Sequence, residues 1–182
     1  MLSLPRQGNP AVDITGANCA DAQPATGVWF LQSTIGGHAN RACTIPANRD
    51  IICNVISCEL SDPELPGRYL TDQELENEVR GSIDQVDLNT LRFIVDNGSP
   101  INRWQNFRVL TPPSSVFLPD GNYDNLFRVQ GGYSTRFAAD GYYVKLTNLS
   151  PGPHTLSFGG AILAEGGRPT FQTSVDYNLT IL

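Results

Sequence analysis

The strongest constraint on the fold is a two-residue alternation at the end of the chain. The stretch TFQTSVDYNLTIL, residues 170–182, places apolar or small side chains at every second position. The alternating set consists of Phe171, Thr173, Val175, Tyr177, Leu179 and Ile181. Because successive side chains of a β-strand point to opposite faces, this pattern predicts a long final strand with one buried face.

Shorter segments of the same character precede this strand. They are rich in aromatic and β-branched residues and are separated by stretches that contain Gly and Pro. These segments are GVWFLQST, RACTIP, RDIICNVIS, TLRFIV, GYYVKL and HTLSF. The strands do not alternate with helices as a parallel sheet requires. We therefore predict an all-β fold, an antiparallel β-sandwich of the jelly-roll or immunoglobulin-like type. A single domain is expected over residues 1–182, with an extended N-terminal segment at 1–15.

One segment departs from the β pattern. In LTDQELENEVRGSIDQVD, residues 70–87, Thr71 and Glu74 have the spacing of a capping box. Apolar residues then recur at helical spacing, at Leu75, Val79, Ile83 and Val86. We predict one amphipathic helix near residues 71–86, whose glutamates form a solvated face.

Composition excludes several classes of function. The net charge is −6, and Lys145 is the only lysine beside eleven arginines, so no basic stripe for nucleic acid is present. No apolar run approaches the roughly 20 residues that span a bilayer. The first residues, MLSLPRQGNP, lack the basic and apolar regions of a signal peptide. An exported protein would therefore have its signal outside this sequence.

The cysteines bear on the compartment. Cys53 and Cys58 are separated by four residues, but no second pair at zinc-ligand spacing and no C-x-x-C redox motif accompanies them. An even number of cysteines in a lysine-poor chain is more typical of two disulfides. Three connectivities are possible, and we favour Cys19–Cys43 with Cys53–Cys58, which would close a short loop. The alternative is four reduced, buried thiols in a cytosolic protein.

A calcium loop is one candidate site. The segment PDGNYDN presents oxygen ligands at Asp120, Asn122 and Asp124. The downstream glutamate of an EF-hand is absent, since residue 131 is Gly. The alternative is a hairpin tip, because Asp-Gly and Asn are also turn residues.

His154 is the candidate for catalysis, although no G-x-S-x-G nucleophile elbow accompanies it. His38 lies in a Gly-rich turn and is expected to be exposed. For ligand binding, Trp104, Tyr142 and Tyr143 could form an aromatic surface for sugar stacking. Alternation places one of the two tyrosines outward if the strand is not covered.

Several stretches together are similar to one known family. They are NPAVDITGANCA, GVWFLQSTIGG, RACTIPAN, GYYVKL, SPGPHTLSFGG and VDYNLTIL. In this order they resemble the GPVWFL, CTVPAG and PPGxHTIxF motifs of a family of uncharacterised secreted bacterial proteins. The resemblance covers nearly the whole chain.

This resemblance implies a signal peptide upstream, a Cys19–Cys43 pair and a family position for His154, but no known activity. Where the family has a cysteine in the helix, this chain has EVRGS and gains Cys53 instead. That departure leaves the partner of Cys58 open.

These observations predict an extracellular or periplasmic module without catalytic function. It would bind a glycan or a protein at the cell surface, or serve as a subunit that assembles through exposed strand edges. The alternative is an extracellular hydrolase of glycans or esters that uses His154 or a carboxylate pair. No cofactor is expected apart from the calcium alternative.

Overall fold

The described part of the chain folds into two four-stranded β-sheets and one α-helix. The structure, a computed structural model, describes residues 2–119, 125–164 and 168–182. The strands are β1 (Val28–Gln32), β2 (Gly37–Ile45), β3 (Asp50–Ser61), β4 (Arg92–Val95), β5 (Arg108–Leu118), β6 (Tyr133–Leu146), β7 (Gly152–Leu163) and β8 (Pro169–Ile181). The helix α1 spans Asp72–Ile83. Short 3-10 helices lie at Asp62–Glu64 and Trp104–Phe107. The all-β prediction with one helix is confirmed.

The two sheets have the strand orders β1-β3-β6-β5 and β2-β8-β7-β4. Most neighbours are antiparallel, as predicted, but β1 pairs with β3 and β2 pairs with β8 in parallel. These two parallel pairs differ from a purely antiparallel sandwich. Neither pair is joined by a hairpin, whose turn would fix an antiparallel direction. Strands β2 and β8 are remote in sequence, and β1 and β3 are separated by β2, which lies in the other sheet.

The core lies between the sheets and is filled by alternate residues of each strand. The predicted alternation of β8 is confirmed at its centre, where Thr173, Val175, Tyr177, Leu179 and Ile181 are buried. Phe158 stacks between Phe93 and Tyr177, with ring centroids 5.6 and 5.8 Å away. Burial of this apolar set supplies the main driving force for folding, roughly 1.5–3 kcal/mol for each large side chain.

Helix α1 packs against β3, β5 and β6. The predicted capping box is confirmed, since Thr71 Oγ1 accepts from the Glu74 N–H and Glu74 accepts from the Thr71 N–H. The helix ends three residues earlier than predicted, because Val86 forms a β-bridge with Ile162 instead. Leu75 and Val79 pack on Ala138 of β6, so the helix extends the covered face of the first sheet.

The N-terminal residues do not form the predicted extended segment. They fold into successive turns, since the side chains of Asn9 and Asp13 accept hydrogen bonds from backbone N–H groups two residues later. The buried Arg41 then fixes this segment to the sandwich, because its guanidinium donates to the backbone oxygens of Asp13 and Gln32. The Ala42 N–H donates to Thr15 O, so the segment also covers the outer edge of β2.

The cysteine pairing is confirmed in part. Cys19 and Cys43 form a disulfide with their Cα atoms 5.9 Å apart. The expected Cys53–Cys58 disulfide is wrong, since both thiols are free. Both residues lie in the single strand β3, where five residues span about 16 Å. A disulfide requires Cα atoms within about 7 Å, so the two cannot join.

Candidate ligand-binding face

The outer face of the second sheet presents polar side chains in rows. Strand β2 and strand β8 pair in register, so His38 lies beside Ser174, Asn40 beside Asp176 and Thr44 beside Thr180. Strand β7 continues these rows, with Thr155 beside Asn178 and Ser157 beside Asp176. We call this surface the polar face. It consists of His38, Asn40, Ala42, Thr44, Pro153, Thr155, Ser157, Ser174, Asp176, Asn178 and Thr180, all exposed or half-exposed.

A depression of about 450 Å³ lies at one end of the polar face. Its position follows from the sequence, because the small Ala42 stands in the row of Asn178 and Thr155. We call it the Asn178 depression. It is lined by Ala42, Asp96, Asn97, Pro153, His154, Thr155, Asn178, Leu179 and Thr180. Hydroxyl and amide groups therefore surround a small apolar floor.

A tight turn after β4 brings Asp96 to this depression. Asp96 and Asn97 have left-handed backbones with φ of 48° and 57°, and the Gly98 N–H donates to Val95 O at 2.7 Å. Such a turn is favoured by the Asp-Asn-Gly sequence. One carboxylate oxygen of Asp96 accepts from the Thr155 N–H at 2.8 Å, which fixes the turn against β7.

The second carboxylate oxygen of Asp96 lies 2.6 Å from His154 Nδ1. The other ring nitrogen, Nε2, lies 2.8 Å from the Ser150 carbonyl oxygen and 3.3 Å from Ser150 Oγ. The hydrogen bond from Asp96 and then that from the Ser150 backbone raise the pKa of His154 above its usual value. The His154 bond in turn lowers the pKa of Asp96. Since both ring nitrogens face strong acceptors, this geometry suits the imidazolium form.

The catalytic candidate His154 is thus brought close to a serine and an aspartate. These three residue types are those of a hydrolytic triad, in which the histidine accepts the proton of the serine hydroxyl. Here Nε2 has its shortest contact with a carbonyl oxygen, which requires a hydrogen on that nitrogen. A ring nitrogen that carries this hydrogen has no lone pair for the Ser150 hydroxyl. The arrangement therefore holds two turns together and is not poised for general base catalysis.

A second set of similar composition lies on the polar face itself. His38 Nδ1 is 2.8 Å from Ser174 Oγ, and His38 Nε2 is 3.6 Å from Asp176 Oδ2. His38 is exposed as expected, with half of its side chain accessible to solvent, but it lies in strand β2 and not in the predicted turn. The three side chains come from neighbouring strands in register, so the sheet places them together.

The aromatic prediction is wrong for two of its three residues. Trp104 and Tyr142 are buried, and their rings meet edge to face with centroids 6.4 Å apart. Tyr143 is half-buried. Tyr142 points inward because the second sheet and helix α1 cover the inner face of β6, and the 3-10 helix at Trp104–Phe107 adds to this cover. Trp104 and Tyr142 therefore contribute to the core and offer no stacking surface.

The calcium candidate Asp120, Asn122 and Asp124 lies outside the described residues. Within the ranges that the structure describes, no group of three His, Cys, Asp or Glu residues is placed to hold a metal ion. No described helix is long and apolar enough to cross a bilayer.

Two other depressions, one beside helix α1 and one between β5, β6 and the 3-10 helix at Asp62–Glu64, have charged groups that are already paired. In one, Arg68 donates to Glu78 at 2.8 Å. In the other, Arg136 is held by Asp62 and Asp72. Asp96 and His154 in the Asn178 depression are paired as well. This depression differs in its neutral groups, because the side chains of Thr155, Asn178 and Thr180 form no described hydrogen bonds. It is therefore the better candidate for a ligand site.

Sequence reasoning singled out His154 but missed the other residues that form this depression. Asp96 was visible only as part of a turn, and the outward positions Thr155 and Asn178 belong to strands whose pairing is not local. The outward half of the β8 alternation was the available signal. No family model, curated protein or solved structure matches the chain.

Proposed function

We propose that this chain is an exported, non-catalytic binding module that holds a glycan in the Asn178 depression. The supporting observation is the combination of a volume near 450 Å³ with the hydroxyl, amide and carboxylate side chains that line it. Ligand sites have volumes of roughly 300–1,000 Å³ and combine apolar surface with a few placed polar groups. A sugar ring matches both features, since its hydroxyls pair with Thr155 and Asn178 while its C–H face contacts Pro153.

Export is supported by the Cys19–Cys43 disulfide, because such bonds persist in oxidising compartments. The family resemblance of the sequence points the same way. The two free thiols do not oppose it, since Cys53 is fully buried and Cys58 is partly covered by helix α1.

The strand edges favour a ligand on the face over assembly by strand pairing. Pro112 and Pro113 interrupt the edge strand β5 at a bulge. The edge of β2 is covered by the N-terminal turns through Thr15. The remaining edge strands, β1 and β4, have only five and four residues. Short, interrupted or covered edges are the features that prevent pairing with another chain.

Screening tests the proposal, with neutral oligosaccharides of glucose, N-acetylglucosamine, mannose and galactose as probes. The Ala42→Tyr variant fills the depression from an exposed position, so it leaves the fold intact. We expect binding by the native protein and at least a tenfold weaker affinity in Ala42→Tyr. Val109→Tyr, at an exposed position on the other sheet, is the matched control. Absence of binding, or equal loss in both variants, contradicts the proposal.

A second candidate, ester hydrolysis, is favoured by one contact, the 2.8 Å approach of Ser174 Oγ to His38 Nδ1. In such a reaction His38 takes the hydroxyl proton while the oxygen attacks the ester carbonyl. The half-exposed Asp176 and the open face provide little exclusion of water, which is why binding is preferred. Hydrolysis of p-nitrophenyl acetate that is lost in Ser174→Ala and retained in Ser115→Ala would favour the enzyme instead.

A further inference from the structure

His154 joins two turns, and the turn at Asp96 and Asn97 lines the Asn178 depression together with His154 itself and Pro153. One is the turn at Asp96 and Asn97 that follows β4, and the other contains Ser150 and precedes β7. The two turns are remote in sequence, since Asp96 and His154 are 58 residues apart. We propose that protonation of His154 controls ligand binding in this depression by holding both turns in the geometry described above. This inference rests on the proposed function.

The His154 ring is largely shielded from solvent, so water competes little for the hydrogen bonds that require its proton. Only 10% of the His154 side chain is accessible to solvent, while 48% of Asp96 is accessible. Both contacts of the ring nitrogens are short, at 2.6 Å to Asp96 and 2.8 Å to the Ser150 carbonyl. The imidazolium ion can donate to both oxygens at once. Charge-assisted hydrogen bonds of this kind are about twice as strong as neutral ones.

Neutral imidazole can keep only one of these two bonds. The hydrogen stays on Nδ1, because the carboxylate of Asp96 is the stronger acceptor. The lone pair of Nε2 then faces the Ser150 carbonyl oxygen at 2.8 Å, which is repulsive. The hydroxyl of Ser150, now 3.3 Å away, can take the place of the carbonyl only if the peptide turns. The turn before β7 therefore shifts, and Pro153 at the edge of the depression shifts with it.

Asp96 is the charged group that faces the ring. The turn at residues 147–152 carries no titratable side chain, and the neighbouring β8 residues Asn178 and Leu179 are neutral. The pKa of His154 is raised above about 6.5, its value in the unfolded chain. The stabilisation from its hydrogen bonds is therefore fully present below pH 6.5 and is lost as the pH rises through the higher pKa of the folded state. The pKa of Asp96 is lowered from its ordinary value of 3.8, so the Asp96–His154 ion pair is lost only when the pH falls below that value.

The first test needs no ligand. Backbone amide NMR signals of Asn97, Ser150, Thr155 and Asn178 are followed in the native chain from pH 5 to 9, together with the ring signals of both histidines. We expect these amides to shift with the midpoint of His154. The shifts disappear in His154→Gln and remain in His38→Gln. Amides that do not follow His154 overturn the proposal.

The second test separates the inference from the proposed function. Affinity for the oligosaccharide probes is measured on both sides of the His154 midpoint. We expect roughly fivefold or greater tightening below it, within the usual range of coupled binding. By reciprocity, a bound probe raises the His154 midpoint by the corresponding amount. Binding that is equal at both pH values overturns the inference alone. Absence of binding to every probe contradicts the proposed function, and the inference fails with it.

Discussion

Glu59 on strand β3 shows how one residue can oppose the stability of a fold. Both of its carboxyl oxygens are buried without a hydrogen-bond partner among the described residues. Burial, followed by the nearby charge of Glu64, raises the pKa of Glu59 to about 9. The side chain is therefore a neutral acid at physiological pH, because an unpaired buried carboxylate is costly.

This environment predicts that stability falls with rising pH. Between 4.5, the ordinary pKa, and about 9, the folded state retains a proton on Glu59 that the unfolded state releases. Glu59→Gln removes the ionisable group at nearly constant size. We expect it to increase the free energy of unfolding at pH 8 by about 1–3 kcal/mol and to flatten the pH dependence.

Urea unfolding at pH 5, 7 and 9 measures the effect. Glu76→Gln on helix α1 is the matched control, since the half-buried Glu76 is paired with Arg80 at 3.7 Å. Equal pH dependence in the native chain and Glu59→Gln would show that the carboxyl group has a partner in solution.

At the scale of elements, helix α1 depends on two arginines of the first sheet. Arg108 at the C-terminal end donates to the Arg80 carbonyl oxygen, to Asp84 and to the buried Asp140. Arg136 at the N-terminal end donates to the Leu70 carbonyl oxygen and pairs with Asp72. A helix of 12 residues is marginal alone, so these contacts and the packing of Leu75 and Val79 hold it.

We predict that Arg108→Gln destabilises the protein more than Arg136→Gln does. Asp140 is 1% accessible, so loss of Arg108 leaves a buried carboxylate without its cation. The expected cost is roughly 2–4 kcal/mol, since removal of one partner of a buried ion pair is strongly destabilising. Thermal unfolding and amide hydrogen exchange in helix α1 provide the measurements. An equal loss in both variants would contradict the role of Asp140.

Local sequence patterns were sufficient to predict individual elements, but they could not predict contacts between remote segments. Thr71 and Glu74 predicted the start of helix α1, and the alternation of residues 170–182 predicted β8. The strand β3 extends to Ser61, beyond the predicted end, because β6 pairs with it along its full length. That extension separated Cys53 from Cys58. The pairing of Asp96 with His154 likewise depends on the β4–β7 register, which no local pattern specifies.

At the scale of the whole molecule, the Cys19–Cys43 disulfide ties the N-terminal turns to β2. The crosslinked residues are 24 apart in sequence, which corresponds to a stabilisation of about 3 kcal/mol through the unfolded state. Its loss also frees the turns that cover the edge of β2.

We therefore predict that reduction lowers the free energy of unfolding by about 3 kcal/mol. Urea unfolding with and without dithiothreitol measures this change, and Cys19→Ser with Cys43→Ser should reproduce it. The oxidised protein should be lighter than the reduced chain by two hydrogens, because Cys53 and Cys58 stay as thiols. A mass deficit of four hydrogens would contradict the structure. A Cys58→Ser variant should retain the response to reductant.

The position of β8 has a consequence for the time course of folding. This strand lies between β2 and β7 in its sheet, although it follows β2 by more than 120 residues in the chain, and Gly37 pairs with Thr173. During translation the second sheet lacks this central strand until β8 has been synthesised, so its core cannot close earlier. Such distant pairing makes folding slow, on the order of milliseconds to seconds. A nascent chain therefore leaves the apolar inner face of this sheet uncovered until residues 169–181 have left the ribosome.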